Sequence, residues 1–184
     1  IRDKFGIVLE EMNFGGGLGV QYTSEDDPPS IYEISESIIN SLRENLVKYD
    51  LTDPKIIIEP GRSIISNAGV TLYTVGSSKQ VPKGRKYIAV DGGMADNPRP
   101  AMYQAKYYGM VANKANEKPV ETVTIAGRYC ESGDILIADT ELPETEPGDI
   151  IAIFCTGAYN YSMSSNYNRV PRPAGIIVHD GQSD

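Results

Sequence analysis

Apolar positions change their spacing partway along this chain, and that change divides it. Val8 to Phe14 reads as a short strand that runs into Gly15-Gly16-Gly17-Leu18-Gly19. After the polar loop Asp26-Asp27-Pro28-Pro29, Ile31, Ile34, Ile38, Leu42 and Leu46 recur at spacings of three and four, which places them on one face of a helix. Ser30 with Glu33 three positions later predicts a capping box at its start. Asp53-Pro54 closes the connection, and Lys55-Ile56-Ile57-Ile58 follows as an unalternating β-branched run. Such a run predicts a strand covered on both faces, as in a parallel sheet. Together these segments form a β-α-β unit.

From about Ser66 the helical period is lost. Short β-rich segments near Val70–Gly76, Tyr87–Val90, Glu121–Ala126, Ile135–Ala138, Ile150–Phe154 and Ile176–His179 alternate with clusters of Gly, Pro and Asp. That pattern predicts an antiparallel barrel or sandwich. The expected division is therefore residues 1–65, α/β, and residues 66–184, all-β. Ile1 to Gly6 reads as the last turn of a helix closed by glycine. The strand before Asp180-Gly181 reads as half a hairpin with no returning strand. Both ends thus suggest a piece of a longer protein, with its last strands cut away.

Charge and cysteine content narrow the function. The 184 residues carry 17 Lys+Arg against 25 Asp+Glu, a net charge of −8, which disfavours binding to phosphate backbones or anionic lipid. The longest apolar stretch, Ile150 to Cys155, falls far short of the ~20 residues of a spanning helix. Two cysteines, Cys130 and Cys155, make no disulfide scaffold and suit a reducing cytoplasm. Cys155 continues an apolar run and reads as core. The single histidine, His179, carries no sign of catalysis, and no grouping has zinc spacing, so no metal is expected.

Two sites of chemistry stand at strand ends. Three consecutive glycines free the backbone to point several N–H groups at one anion, although a tight turn explains them equally well. Neither the P-loop nor the dinucleotide fingerprint fits. Glu59-Pro60-Gly61-Arg62 lies at the carboxyl end of the second strand, where parallel sheets bind ligands and where the last loops of (β/α)8 barrels build phosphate sites. Glu59 is expected to be buried there and to need a cation. A simple pairing with Arg62 is the alternative.

Five segments in fixed order then carry a resemblance: Asn13-Phe-Gly-Gly-Gly-Leu-Gly19, Glu59-Pro-Gly-Arg62, Asp91-Gly-Gly-Met-Ala-Asp-Asn-Pro-Arg-Pro100, Cys130-Glu-Ser-Gly-Asp134, and Gly157-Ala-Tyr159 with Ser165-Asn-Tyr-Asn168. Extending over nearly the whole chain, they resemble the fold-type III pyridoxal-phosphate decarboxylases, and within them the branch acting on diaminopimelate. The resemblance implies the last two β/α units of a TIM-type (β/α)8 barrel followed by a C-terminal β domain. It implies pyridoxal 5'-phosphate as cofactor, its phosphate held by backbone N–H groups of Gly15, Gly16 and Gly17, chiefly the last two. Pro60, Gly61 and the Arg62 backbone would add to this, and Glu59 would pair with the pyridine nitrogen.

For a small diamino dicarboxylate substrate, the resemblance implies that Arg62 and Arg99 clamp the distal carboxylate with help from Tyr103. Glu131 would take the distal ammonium, and Tyr159 would touch cofactor phosphate and substrate. Cys130 is the implied proton donor, supplied across a homodimer with shared active sites. Surface ion pairs are the alternative for each arginine.

One departure from the family pattern stands out. No lysine here occupies a matching motif to carry the cofactor, and the histidine that stacks on its ring is missing, so the 184 residues alone are expected to be inactive. The reaction implied for the longer protein is decarboxylation of meso-diaminopimelate to lysine. Ornithine- or arginine-type decarboxylases of the same fold, which would have an acid one carbon shorter at position 131, are the nearest rivals. A non-catalytic, decarboxylase-like regulatory protein is the other.

Overall fold

The computed structural model describes residues 1–183 and divides into two compact units, Ile1–Asn67 and Ala68–Asp184. The first opens with α1 (Arg2–Phe5), whose last turn is closed by Gly6 in the left-handed region at φ 67°. Strand β1 (Glu11–Asn13) pairs in parallel with β2 (Lys55–Ile57), Met12 opposite Ile56. Between them runs α2 (Ile31–Lys48). Both halves of its capping box form: Glu33 N–H donates to Ser30 Oγ at 3.2 Å, and Ser30 N–H donates to the Glu33 carboxylate at 2.7 Å. The expected stripe is present, with Leu42 buried, Ile34, Ile38 and Leu46 half-buried, and Ile31 exposed at the helix start.

The second strand departs from expectation. Ile56 and Ile58 are 39% and 43% exposed, because among the described residues only β1 pairs with β2 and no layer covers both faces. A buried-strand sequence with uncovered faces has its complement elsewhere. The unit ends in α3 (Gly61–Ile65).

The second unit is built on a six-stranded sheet: β3 (Val70–Gln80), β4 (Lys86–Val90), β5 (Gly109–Val111), β6 (Glu121–Ala126), β7 (Ile135–Leu142) and β8 (Ile150–Phe154), in the order β5-β8-β3-β4-β6-β7. Strand β3 is long enough to serve two neighbours. Val70–Thr74 pair with β8, and Val75 and, beyond an irregularity at Gly76, Ser77 to Gln80 pair with β4. Such a bend curls a sheet. At its far edges a Cβ on Gly109 of β5 would meet Ile137 of β7 at 2.9 Å, so the sheet is nearly closed into a barrel. Ile88, Val123, Ile125, Ile151 and Ile153 fill the core at 0–1% exposure.

Two expectations fail here. The sheet is not wholly antiparallel, since β4 and β6 pair in parallel, Lys86 opposite Val123. The connection between them is the long crossover that holds α4 (Arg99–Tyr103) and β5, as a parallel pair requires. Asp180-Gly181 does have a returning strand: β9 (Val178–His179) and β10 (Gln182–Ser183) form a two-residue hairpin, with Asp180 at φ 49° and Gly181 at φ 74°. Positive φ at both turn residues is the type I′ pattern that suits hairpin twist. The last helix is α5 (Asn160–Met163).

Candidate active site

In the first unit, the glycine turn and the Glu59 turn sit side by side. Beyond the paired residues the two chains stay bonded: Phe14 N–H donates to Ile57 O at 3.0 Å, and Glu59 N–H to Gly15 O at 2.7 Å. Asn13 joins them by side chain, donating from Nδ2 to Glu59 Oε1 at 2.6 Å and accepting Gly15 N–H on Oδ1 at 2.8 Å. Gly15 and Gly17 lie at φ 71° and 82°, and a Cβ on Gly16 would stand 2.1 Å from Glu59 O. All three glycines are thus required, Gly15 and Gly17 for their conformation and Gly16 for close approach.

With the Gly15 amide spent on Asn13, the amides of Gly16 and Gly17 are left with no hydrogen-bond acceptor among the described residues. Opposite them Glu59 is exposed rather than buried as expected. Its carboxylate meets Asn13, and no Glu59–Arg62 ion pair is formed among the described residues. Arg62 is half-buried, and its Nε is enclosed without a hydrogen-bond partner. Pro60 caps α3, and Gly61 N–H folds back on Glu59 O at 2.9 Å. Free amides on one turn and a carboxylate on the next provide for an anion and for a protonated ring nitrogen, the two ends of pyridoxal phosphate. The residues present therefore fit that group.

In the second unit, topology gathers the remaining motifs. Strands β4 and β6 are parallel, and β8 runs the same way because both it and β4 are antiparallel to β3. The loops leaving Val90, Ala126 and Phe154 consequently emerge at one end of the sheet. Asp134 ties the first two. Its carboxylate, 3% exposed as a residue, accepts Met94 N–H at 2.7 Å and Tyr129 N–H at 2.8 Å. A Cβ on Gly93 or Gly127 would fall 2.4 or 2.1 Å from that carboxylate. Ser165 N–H joins the third loop to Ala95 O at 2.8 Å, and the rings of Tyr129 and Tyr167 lie 5.6 Å apart.

Beneath this end, Tyr73 OH donates to Asp96, which also accepts Gly93 N–H at 3.0 Å. Burial raises the Asp96 carboxyl above the ordinary range, against the lowering pull of the Tyr73 and Gly93 bonds. Burial likewise raises Asp134, opposed by its bonds to Tyr129 and Met94.

Of the site residues expected in this unit, Arg99 and Tyr159 are brought together. The guanidinium carbon of Arg99 lies 5.6 Å from the Tyr159 ring centroid, and Nη1 donates to Tyr107 OH at 2.9 Å. Tyr103 ends α4 and is 61% exposed. Cys130 and Glu131 occupy the exposed loop that Asp134 anchors. Cys155, expected in the core, is only half-buried, because it lies just past the end of β8 and turns at φ 57°. Burial raises its thiol. Sequence reasoning missed Tyr73, Asp96, Tyr107, Asp134 and Asn160. The motif Asp91–Pro100 contained Asp96, and Cys130–Asp134 contained Asp134, but the tyrosines and Asn160 gave no local signal.

Comparison with known families decides the relationship. The model of the pyridoxal-dependent decarboxylase C-terminal sheet domain matches residues 22–157, well over half of the chain. The chain belongs to the pyridoxal-dependent decarboxylases. It is 54% identical over 182 residues to diaminopimelate decarboxylase of Bacillus subtilis, covering 99% of this chain and 42% of that one. It is 52% identical over 180 residues to the diaminopimelate decarboxylase of Synechocystis, covering 98% and 38%. The crystal structure of the M. jannaschii diaminopimelate decarboxylase, in complex with L-lysine, superposes with a TM-score of 0.88 at 37% identity, covering 99% of this chain and 41% of that one. The chain thus spans about two-fifths of the length of these pyridoxal-dependent decarboxylases. Among the described residues no helix is long and apolar enough to cross a membrane.

Proposed function

We propose that this chain is the carboxyl-terminal part of a diaminopimelate decarboxylase, the enzyme that removes CO2 from meso-diaminopimelate to give lysine, and that its first unit supplies the end of a (β/α)8 barrel. The observation that carries the reading is the Asn13–Glu59 junction, which sets two unspent glycine amides beside a carboxylate that has no cationic partner among the described residues. The amides of Gly16 and Gly17 would hold the cofactor phosphate, with Gly61 and the Arg62 backbone beside them. Gly15 would serve through its conformation, since its amide is taken. Pro60 would set the turn, and Glu59 would keep a proton on the ring nitrogen. When bound, pyridoxal phosphate supplies the electron sink that loss of an α-carboxylate requires.

The other groups divide the substrate's charges. Guanidinium forks suit a distal carboxylate, so Arg62 and Arg99 would bind it, with Tyr103 and Tyr159 assisting. Glu131 would bind the distal ammonium. Once the bond from the α-carbon to its carboxylate breaks and CO2 departs, Cys130 Sγ–H would deliver the replacing proton. The active protein would be a cytoplasmic homodimer in which each copy lends its Cys130 loop to the other.

An ornithine- or arginine-type decarboxylase remains the competing reading, because those substrates use the same cofactor chemistry. Arg99 favours a dicarboxylate, since ornithine has no second carboxylate to clamp, and Glu131 is one carbon longer than the rival pattern. Steady-state CO2 release by the full-length enzyme supplied with pyridoxal phosphate tests this. Turnover of meso-diaminopimelate far above ornithine is expected, and the reverse order would refute the assignment.

A further inference from the structure

The part of the second unit that the function leaves unexplained is a buried polar chain behind Arg99. Tyr107 is 3% exposed and lies just before β5, yet its hydroxyl is not idle. It accepts from Arg99 Nη1 at 2.9 Å and donates to Asn160 Oδ1 at 3.3 Å. Asn160 is also 3% exposed, and its Nδ2 has no partner among the described residues. Arg99 opens α4 and Asn160 opens α5, so a single phenol links two short helices that are 61 residues apart in sequence. The guanidinium is further bracketed by rings, its carbon 6.0 Å from the Tyr107 centroid and 5.6 Å from that of Tyr159.

The chemistry of that chain is directional. A phenol that gives its only proton to Asn160 presents lone pairs to Arg99. A guanidinium held by its bond to the Tyr107 hydroxyl and by two ring faces loses much of its rotamer freedom, the loss that costs a flexible arginine most when it binds a ligand. Asn160 thereby fixes the hydroxyl, the hydroxyl fixes the arginine, and the arginine's remaining N–H groups keep one orientation.

We infer that Tyr107, oriented by Asn160, is a positioning residue that sets substrate specificity by presenting Arg99 to the distal carboxylate of a diamino dicarboxylate. This rests on the proposed role of Arg99. It also predicts a split that a purely structural tyrosine would not produce. Loss of the hydroxyl should weaken recognition of a second carboxylate and leave untouched a substrate that lacks one.

The test uses the full-length holoenzyme with Tyr107→Phe, which keeps the ring and its packing, and Arg99→Ala as reference, each assayed on meso-diaminopimelate and on D-lysine, whose single carboxylate is at the reacting centre and which has none at the distal one. For Tyr107→Phe, KM for meso-diaminopimelate should rise about tenfold with kcat nearly unchanged, as expected for one hydrogen bond to a charged group. The residual rate on D-lysine should stay within about twofold, a band set well inside that hydrogen-bond effect. Asn160→Ser, which removes the acceptor of the phenol proton, should shift the same ratio in the same direction. If Arg99→Ala lowers the preference for the dicarboxylate and Tyr107→Phe and Asn160→Ser do not, the inference fails and the role of Arg99 stands. If none of the three moves the preference, the role of Arg99 fails with it. Equal loss on both substrates by Tyr107→Phe, with a lowered Tm, would mark the tyrosine as structural and overturn the inference.

Discussion

Asn13 Nδ2 stands 2.6 Å from Glu59 Oε1, across 46 positions of sequence. The same amide's oxygen receives Gly15 N–H, so one asparagine sets both the carboxylate and the turn beside it. A residue in this position does two things at once. It fixes where Glu59 points, and it removes the Gly15 amide from the set available to an anion. The chemistry proposed for the first unit follows from that division.

Alanine at the three glycines should therefore act unequally. At Gly16 a Cβ would lie 2.1 Å from Glu59 O, which only backbone movement relieves. At Gly15 and Gly17 the cost is positive φ without any clash within 4 Å, on the order of 1 kcal/mol each. In the full-length enzyme, cofactor titration should show Gly16→Ala losing the most affinity, by well over tenfold. Gly15→Ala, whose amide is already bonded to Asn13, should lose the least.

Two buried aspartates make opposite contributions to acid stability. Asp149 is 4% exposed; desolvation acts to raise its carboxyl, but bonds from Lys114 Nζ at 2.8 Å and Asn113 at 2.7 Å outweigh it and hold the value below the ordinary range. Its folded value lies under its unfolded value, so the stability it adds is complete above about pH 4 and is lost as pH falls through the folded value. Asp96 is raised, chiefly by burial. The folded form then binds the extra proton, and stability declines as pH rises from about 4 through the raised value. Urea unfolding between pH 3 and 7 should show Asp149→Asn reducing the loss of stability on the acid side. Asp96→Asn should remove the decline at the higher end. An unchanged pH profile in both variants would contradict these environments.

The cysteines should differ in reactivity. Cys130 is exposed on its loop, whereas Cys155 is half-buried with its thiol raised by burial. Thiol labelling of the 184-residue chain at pH 7.5 should modify Cys130 at least about tenfold faster, since the thiolate is the reacting species. Raising the pH should narrow the gap as Cys155 ionises.

Much of this arrangement was legible in the sequence where the signal is local. The capping box at Ser30 and Glu33, the α2 stripe and the glycine closing α1 all depend on residues within four positions of each other, and all are present. What was hidden depends on distant partners. Strand β5 is three residues long and owes its existence to β8, and the returning strand Gln182–Ser183 has only two. The parallel pairing of β4 with β6 follows from the crossover between them, not from either strand. Tyr107 looked like any aromatic because its partner Asn160 lies 53 positions away. Glu59 was expected to be buried because it ends a β-branched run, but among the described residues the faces of that strand are uncovered.

The central claim is that Gly15–Gly17 and Glu59–Arg62 form one cofactor cradle in which Glu59 acts on the ring nitrogen and not as a mere support. Glu59→Gln in the full-length enzyme tests this most directly, because glutamine keeps an oxygen for Asn13 and loses only the charge. The measurement is kcat on meso-diaminopimelate beside the dissociation constant of pyridoxal phosphate. A fall in kcat of a hundredfold or more, on the order of 3 kcal/mol in the barrier, with cofactor affinity changed less than about fivefold, or 1 kcal/mol, is the predicted result. Equal losses in turnover and affinity, or no loss in either, would contradict it.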